Sequence, residues 1–417
     1  MGTIRTDQSK VFLRAFFIDM LALVGTFGLF NLSVDPYGMF GMPLVQGINA
    51  NKPELVTHVR LGKAGLVRRV KPKGIILGSS RVEFGLDPKH PGWRTTPVYN
   101  LGIPGLNTYE LMRFFQHAHS IQPLERVVIG LDMFQFNIWR ANREDFEDEL
   151  LLGGGEGGAD GLFGVAGRVV QMLLSTDMFA SSLATLTRQD RENMYLRDGS
   201  RDQELLRREG VRWGPRRRKF RNGASVARET YDRKHGFRNA VTGVSSFDYF
   251  RRILETAHRD SIDLRLFISP PHAWFLESFA AFRAWESREE WKRRLVEVND
   301  EVAANYGNRP FALWDFSGYH AYSLEAVPPW DDNESPMRWY FEAFHYTQEL
   351  GNLMLDRIFG YSAPGVTDDF GVQLTGNIDV HLATIRDAQR RYRGTYTEDV
   401  REMRELHFGS APIEGFR

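Results

Sequence analysis

Three short blocks carry residues that can do acyl-transfer chemistry. The first is Gly78-Ser79-Ser80-Arg81, directly after an apolar run. A serine at a strand-to-helix turn exposes its hydroxyl, and the N–H groups around it can face a developing oxyanion. The second is Tyr340-Phe341-Glu342-Ala343-Phe344-His345, close to the C-terminus. Glu342 and His345 stand three residues apart before a helical stretch, so one turn can let the carboxylate orient the imidazole. Together Ser80, His345 and Glu342 supply the nucleophile, base and orienter of a serine triad. The third is Asn100-Leu101-Gly102-Ile103-Pro104-Gly105-Leu106-Asn107, whose glycines let backbone N–H groups approach the same oxyanion. It echoes a dinucleotide fingerprint, but Asn100 replaces the first glycine, and no nucleotide site is expected.

These blocks need a scaffold that brings them to one edge. Apolar runs at 73–78, 97–101, 126–131, 264–269 and 310–315 read as buried parallel strands. Helical patterns at 55–70, 108–121, 247–260, 279–306 and 347–359 alternate with them. The expected fold is a three-layer α/β/α sandwich around a parallel sheet. Sites in such sheets form at the carboxyl ends of strands, where Ser80, the Gly102–Gly105 loop and Asp132 all fall.

Residues 11–31 form an apolar run long enough to cross a bilayer. Arg5, Lys10 and Arg14 flank its start, which puts the N-terminus on the cytoplasmic side. Asp19 is a costly exception inside the run. No small-x-small cleavage site follows, so a retained single-pass signal anchor is expected. The expected organisation is a tail at 1–10, the anchor at 11–31, a catalytic domain at 32–362 and a helical extension at 363–417. A basic insertion interrupts the domain at about 140–240. Within it, residues 188–238 carry 16 basic and 8 acidic side chains, a net +8 centred on Pro215-Arg216-Arg217-Arg218-Lys219. That excess reads as a solvated face, with an anionic polysaccharide or lipid surface as the alternative. Residues 153–158, nearly all glycine, read as a flexible link.

Composition narrows the function. Lys+Arg and Asp+Glu balance at 53 each, which argues against a nucleic-acid binder. The absence of cysteine excludes thiolate metal sites, disulfides and a cysteine nucleophile. Asp331-Asp332-Asn333-Glu334 lacks the ligand alternation of a calcium loop, so neither metal nor cofactor is expected.

The order and spacing of the blocks resemble the SGNH (GDSL-like) hydrolase superfamily. The closest likeness is to its membrane-anchored extracytoplasmic branch of alginate O-acetyltransferase-like and D-alanyl transfer proteins. The resemblance covers the anchor, the Val34-Asp35-Pro36-Tyr37-Gly38 exit and the chemical blocks. It implies that Ser80 is the nucleophile and an oxyanion N–H donor, Gly105 a second donor and His345 the base. Glu342 stands where the family has Asp, and Asp132 where it has an oxyanion-hole Asn. An ionised Asp cannot donate, so that third position is open, with Asn137 a remote substitute. The implied function is a serine esterase or O-acyltransferase on a surface or exported polysaccharide, with the catalytic domain outside the inner membrane. A transferase would need a multi-span partner to deliver its acyl donor. The alternative is a non-catalytic, membrane-anchored scaffold or polysaccharide-binding component of an export complex. Arg81, Asn107 and His272 are candidate substrate contacts. Trp314, Trp330, Trp339 and Tyr340 are candidates for stacking on sugar rings.

Overall fold

The computed structural model describes residues 3–153, 161–212, 216–231, 235–282, 284–332, 335–361, 366–367 and 369–408. The glycine-rich link beyond Gly153, Pro215, and the pair Asn333 and Glu334 lie outside the described residues. The chain divides into two compact units. One comprises Met1–Arg69 with Asp145–Met194, and the other Val70–Glu144 with Tyr195–Arg417. The segment expected as one insertion is thus shared: 145–194 belongs with the N-terminal residues and 195–240 with the sheet.

The larger unit is built on a six-stranded sheet: β1 (Gly74–Gly78), β2 (Val98–Gly102), β3 (Arg126–Leu131), β4 (Asp263–Ile268), β5 (Ala312–Asp315) and β6 (Val372–Gln373). The spatial order is β2-β1-β3-β4-β5-β6. The first five strands are parallel, and β6 pairs antiparallel with β5. Ile75, Ile76, Leu77, Val127, Val128 and Ile129 are fully buried, so both faces of the sheet are covered. Helix Thr108–Ile121 packs on Ser246–Arg259, which packs on Trp285–Asn305. Helix Ser80–Gly85 packs instead on Gln348–Phe359. Right-handed crossovers account for this grouping. The β1-to-β2 connection runs opposite to all the later ones, so its helix lies on the other face.

The fourth expected helix is broken. Residues 279–306 fall into helices Ala273–Ala281 and Trp285–Asn305. His272 starts the first, its Nδ1 accepting from Trp274 N–H at 3.3 Å. β6 was not expected: two exposed residues leave no periodic signal. Beyond it, helices Ile378–Thr395 and Thr397–Phe408 complete the chain. His381 of the first reaches the buried Asp315 carboxylate at 2.8 Å, which Lys292 also holds at 2.5 Å.

The smaller unit begins with helix Thr3–Val34, whose stretch Ser9–Val34 is long and apolar enough to cross a membrane. Val11, Phe12, Phe17, Ile18, Leu21 and Leu23 are exposed along it, which is not the pattern of a core helix. Lys52 caps its end, donating to the Val34 and Asp35 carbonyls at 2.8 and 2.7 Å. A small core of Tyr37, Met39, Leu61, Leu150 and Met178 holds the remainder together.

Candidate active site

The turn after β1 places Ser80 at the first position of helix Ser80–Gly85. Ser79 is its N-cap: the Oγ accepts from Arg81 N–H at 3.2 Å and donates to Asp132 Oδ2 at 2.6 Å. The Ser79 hydroxyl is thus committed to structure, while Ser80 is only partly buried. The helix is fastened along its length. Asn100 in β2 donates to the Val82 and Leu86 carbonyls, both at 3.0 Å. Glu83 is fully buried, bonded by the Tyr195 hydroxyl at 2.6 Å and paired with Arg201 at 3.2 Å.

His345 lies 265 residues from Ser80 in sequence, yet its Nε2 is 2.7 Å from Ser80 Oγ. Its Nδ1 is 2.6 Å from Glu342 Oε1. Glu342 is fixed by its own loop: Oε1 accepts from His345 N–H at 2.8 Å and Oε2 from Phe344 N–H at 3.3 Å. The carboxylate at Nδ1 sets the tautomer, with the hydrogen on Nδ1 and the Nε2 lone pair directed at the serine hydroxyl. Phe84 stacks on the imidazole, with centroids 4.4 Å apart and planes 14° apart, and fixes the ring from the side. Helix Arg216–Tyr231 covers the acid. At Gly223 a Cβ would come within 2.2 Å of Glu342 Oε2, so only glycine allows this approach.

Among the described residues, the N–H groups of Ser80 and Gly105 have no partner. They belong to neighbouring connections. Gly78 pairs with Gly102, and Ile103 N–H donates to the Gly78 carbonyl at 2.9 Å. Gly105 has φ +65°, a conformation that favours glycine. Its carbonyl accepts from Arg140 Nε at 3.0 Å.

Asp132 is no donor. Its carboxylate accepts from Ser79 and pairs with Arg81 Nη1 at 2.5 Å, and its side chain is 1% exposed. Burial and this carboxylate push the neighbouring Tyr346 phenol well above its ordinary range. Asn137, the remote substitute, accepts from Trp139 N–H at 3.2 Å.

The three expected substrate contacts each engage the protein's own groups. Arg81 is buried against Asp132, with its guanidinium 5.2–5.9 Å from the rings of Phe134, Phe275 and Phe344. Asn107 caps helix Thr108–Ile121 and donates to the Arg140 carbonyl at 3.0 Å. His272 is buried, donating to the Glu325 carbonyl at 2.7 Å. The aromatic residues do not form one platform. Tyr340 is buried against His272, Trp314 stacks on Phe316 and Trp339 meets Tyr322, leaving Trp330 exposed under Arg221. Part of the basic segment is engaged within the protein, Arg217 and Arg221 pairing with Glu402 and Arg201 with Glu83, while Arg188, Arg191, Arg197, Arg207, Arg208, Arg218 and Arg238 are exposed. A surface pocket lined by Lys89, Trp93, Arg94 and Pro97 sits at the amino end of β2, away from the serine's edge of the sheet.

The buried imidazoles make stability depend on pH. Burial pushes His272 and His320 down to about 4 from 6.5. The unfolded chain therefore binds more protons than the folded one between those values. Stability is complete above pH 6.5 and falls as pH drops toward 4, by up to roughly 3 kcal/mol per histidine. Denaturant midpoints at pH 7.5 and 4.5 should differ, and His320→Gln should flatten the difference. An unchanged slope in that variant would contradict the assignment.

No protein-family model, curated protein or solved structure matches the chain.

Proposed function

We propose that this protein is a serine acyl-ester enzyme of SGNH type, held by its N-terminal helix with the catalytic unit on the outer side of the membrane. The observation that carries this reading is the unbroken chain from Ser80 Oγ through His345 to Glu342, at 2.7 and 2.6 Å. The blocks after β1 and β2, and the order of the triad along the chain, support the SGNH assignment. The basic residues at the start of the first helix support the orientation.

The geometry performs the reaction in two halves. Ser80 Oγ attacks the acyl carbonyl carbon while His345 Nε2 takes the hydroxyl proton. Glu342 stabilises the resulting imidazolium. The carbonyl oxygen becomes an oxyanion, which the N–H groups of Ser80 and Gly105 receive. The tetrahedral centre collapses, the C–O bond to the leaving alkoxide breaks, and His345 returns the proton to that oxygen. An ester on Ser80 remains. A sugar hydroxyl or a water then gives its proton to His345 and attacks the ester carbon; the bond to Ser80 Oγ breaks, and His345 returns the proton to that oxygen. Two donors suffice for such a hole, so Asp132 in its buried pair does not argue against catalysis. The substrate class we favour is an acylated or acyl-accepting polysaccharide at the cell surface.

A fluorophosphonate ester tests the reading directly. It should add one phosphonyl group per chain, located by peptide mass analysis on Ser80, and His345→Ala should abolish the labelling. Labelling elsewhere, or none in the unaltered chain, would favour the scaffold alternative.

A further inference from the structure

The smaller unit contains a second apolar element. Positions 161–187 hold only two charged residues, Arg168 and Asp177. Both have partners inside the unit: Arg168 Nη2 meets Glu147 at 2.6 Å, and Asp177 meets His58 at 3.1 Å. The stretch folds as helices Gly161–Leu173 and Thr176–Thr187, bent 58° at the junction. Ser175 caps the second helix, its Oγ accepting from Met178 N–H at 3.1 Å, which fixes the bend. At 13 and 12 residues each helix is about 20 Å long or less, too short for the ~30 Å hydrocarbon core.

Apart from Asp177, whose side chain is 72% exposed in the first turn of the second helix, and the partly exposed Arg168, the described exposed residues of this pair are apolar or uncharged. Val170, Leu174 and Leu183 are 55, 38 and 44% exposed, with Ala166 and Ala180 beside them. In water that face has no compensation. Its position supplies the occupant. The bend packs on the last turns of the membrane-length helix. Phe179 stacks on Phe27 at 4.8 Å, Asn31 Nδ2 donates to the Leu173 carbonyl at 2.9 Å, and Ser182 donates to Asn31 Oδ1 at 2.9 Å. A second apolar feature is pinned to the same end. Asn49 is buried and bonds the Ser33 and Pro43 carbonyls, fixing a loop that exposes Leu44, Val45 and Ile48. All of these gather at residues 27–34, where a helix starting its span near Ser9 reaches the far interface.

We propose that the bent pair lies in the lipid bilayer, seated at the boundary between headgroups and acyl chains beside the end of the N-terminal helix. The protein then holds the membrane through a span and an interfacial wedge. Two attachments restrict tilt of the smaller unit more than a lone helix does. The inference rests on the first helix crossing the membrane, and it is independent of the catalytic reading.

The chain has no cysteine, so single cysteines report cleanly. Leu174→Cys and Leu183→Cys would be labelled with an environment-sensitive fluorophore in the full chain. Phe16→Cys serves as the span control and the exposed Val241→Cys as the aqueous control. The proteins are reconstituted in phosphatidylcholine–phosphatidylglycerol vesicles with nitroxide-bearing lipid. Lipid-borne quencher should reduce emission at Leu174 and Leu183 to an extent comparable with Phe16, while iodide quenches only Val241. Iodide quenching at Leu174 and Leu183 with Phe16 shielded would overturn the wedge and leave the span intact. That would be the pattern of a face reserved for a protein partner. Loss of lipid quenching at Phe16 would remove both. Should either variant misfold by circular dichroism, Val170→Cys and Ala180→Cys probe the same face.

Discussion

Ser80→Ala is expected to lower turnover of an aryl acyl ester by about 10⁴-fold or more, with the fold unchanged. Ser80 is partly exposed at a helix start, and among the described residues its hydroxyl bonds only to His345. The methyl group therefore leaves no buried polar atom behind. Glu342→Gln is the sharper test. The carboxamide can present an N–H to His345 Nδ1, which favours the tautomer whose Nε2 carries the hydrogen. That nitrogen can no longer take the serine proton, and a loss of about 10³–10⁴-fold is expected. Combining Glu342→Gln with Ser80→Ala should add almost nothing, because residues acting as one unit are not additive. Steady-state kinetics with each single variant and the pair would show it. Equal activity in Glu342→Gln and the unaltered protein would mean that the 2.6 Å contact does not orient the base.

Much of this site could be read in the sequence, for local reasons. Each of the five parallel strands is a short apolar run, and the strand ends expected from those runs differ from the observed ones by at most two residues. Glu342 and His345 lie in one turn, so their relation needs only local geometry. The partners of the buried polar residues were not legible. Nothing near Glu83 points to Tyr195 and Arg201, more than 110 positions away. Gly223 carries no motif, and its meaning appears only where Glu342 Oε2 comes against it. Arg81, Asn107 and His272 stand at strand ends, where substrate contacts also occur. Their burial is a tertiary fact, and each turned out to satisfy the protein's own backbone or carboxylates. Within the basic segment the roles of Arg201 and Arg217 were hidden for the same reason, because the acids that pair with them come from elsewhere in the chain.

The largest stability effect is expected at Asp132. Removing one partner of a buried ion pair leaves the other charge without compensation, and the Arg81 guanidinium has three aromatic rings rather than water around it. Asp132→Ala should therefore cost about 3–5 kcal/mol in chemical denaturation. The double change Arg81→Met with Asp132→Leu should recover most of it, since an apolar pair of similar volume needs no desolvation. Asp132→Asn separates structure from catalysis. A side chain aimed at the substrate oxyanion would gain a donor on becoming Asn, and turnover would hold or rise. In the observed geometry the amide can still accept from Ser79 but cannot neutralise Arg81. The expected result is lower stability and turnover no higher than in the unaltered protein, because Ser79 and Arg81 set the turn that carries Ser80. A rise in turnover at full stability would place Asp132 in the oxyanion hole and overturn its assignment as the anchor of the nucleophile turn.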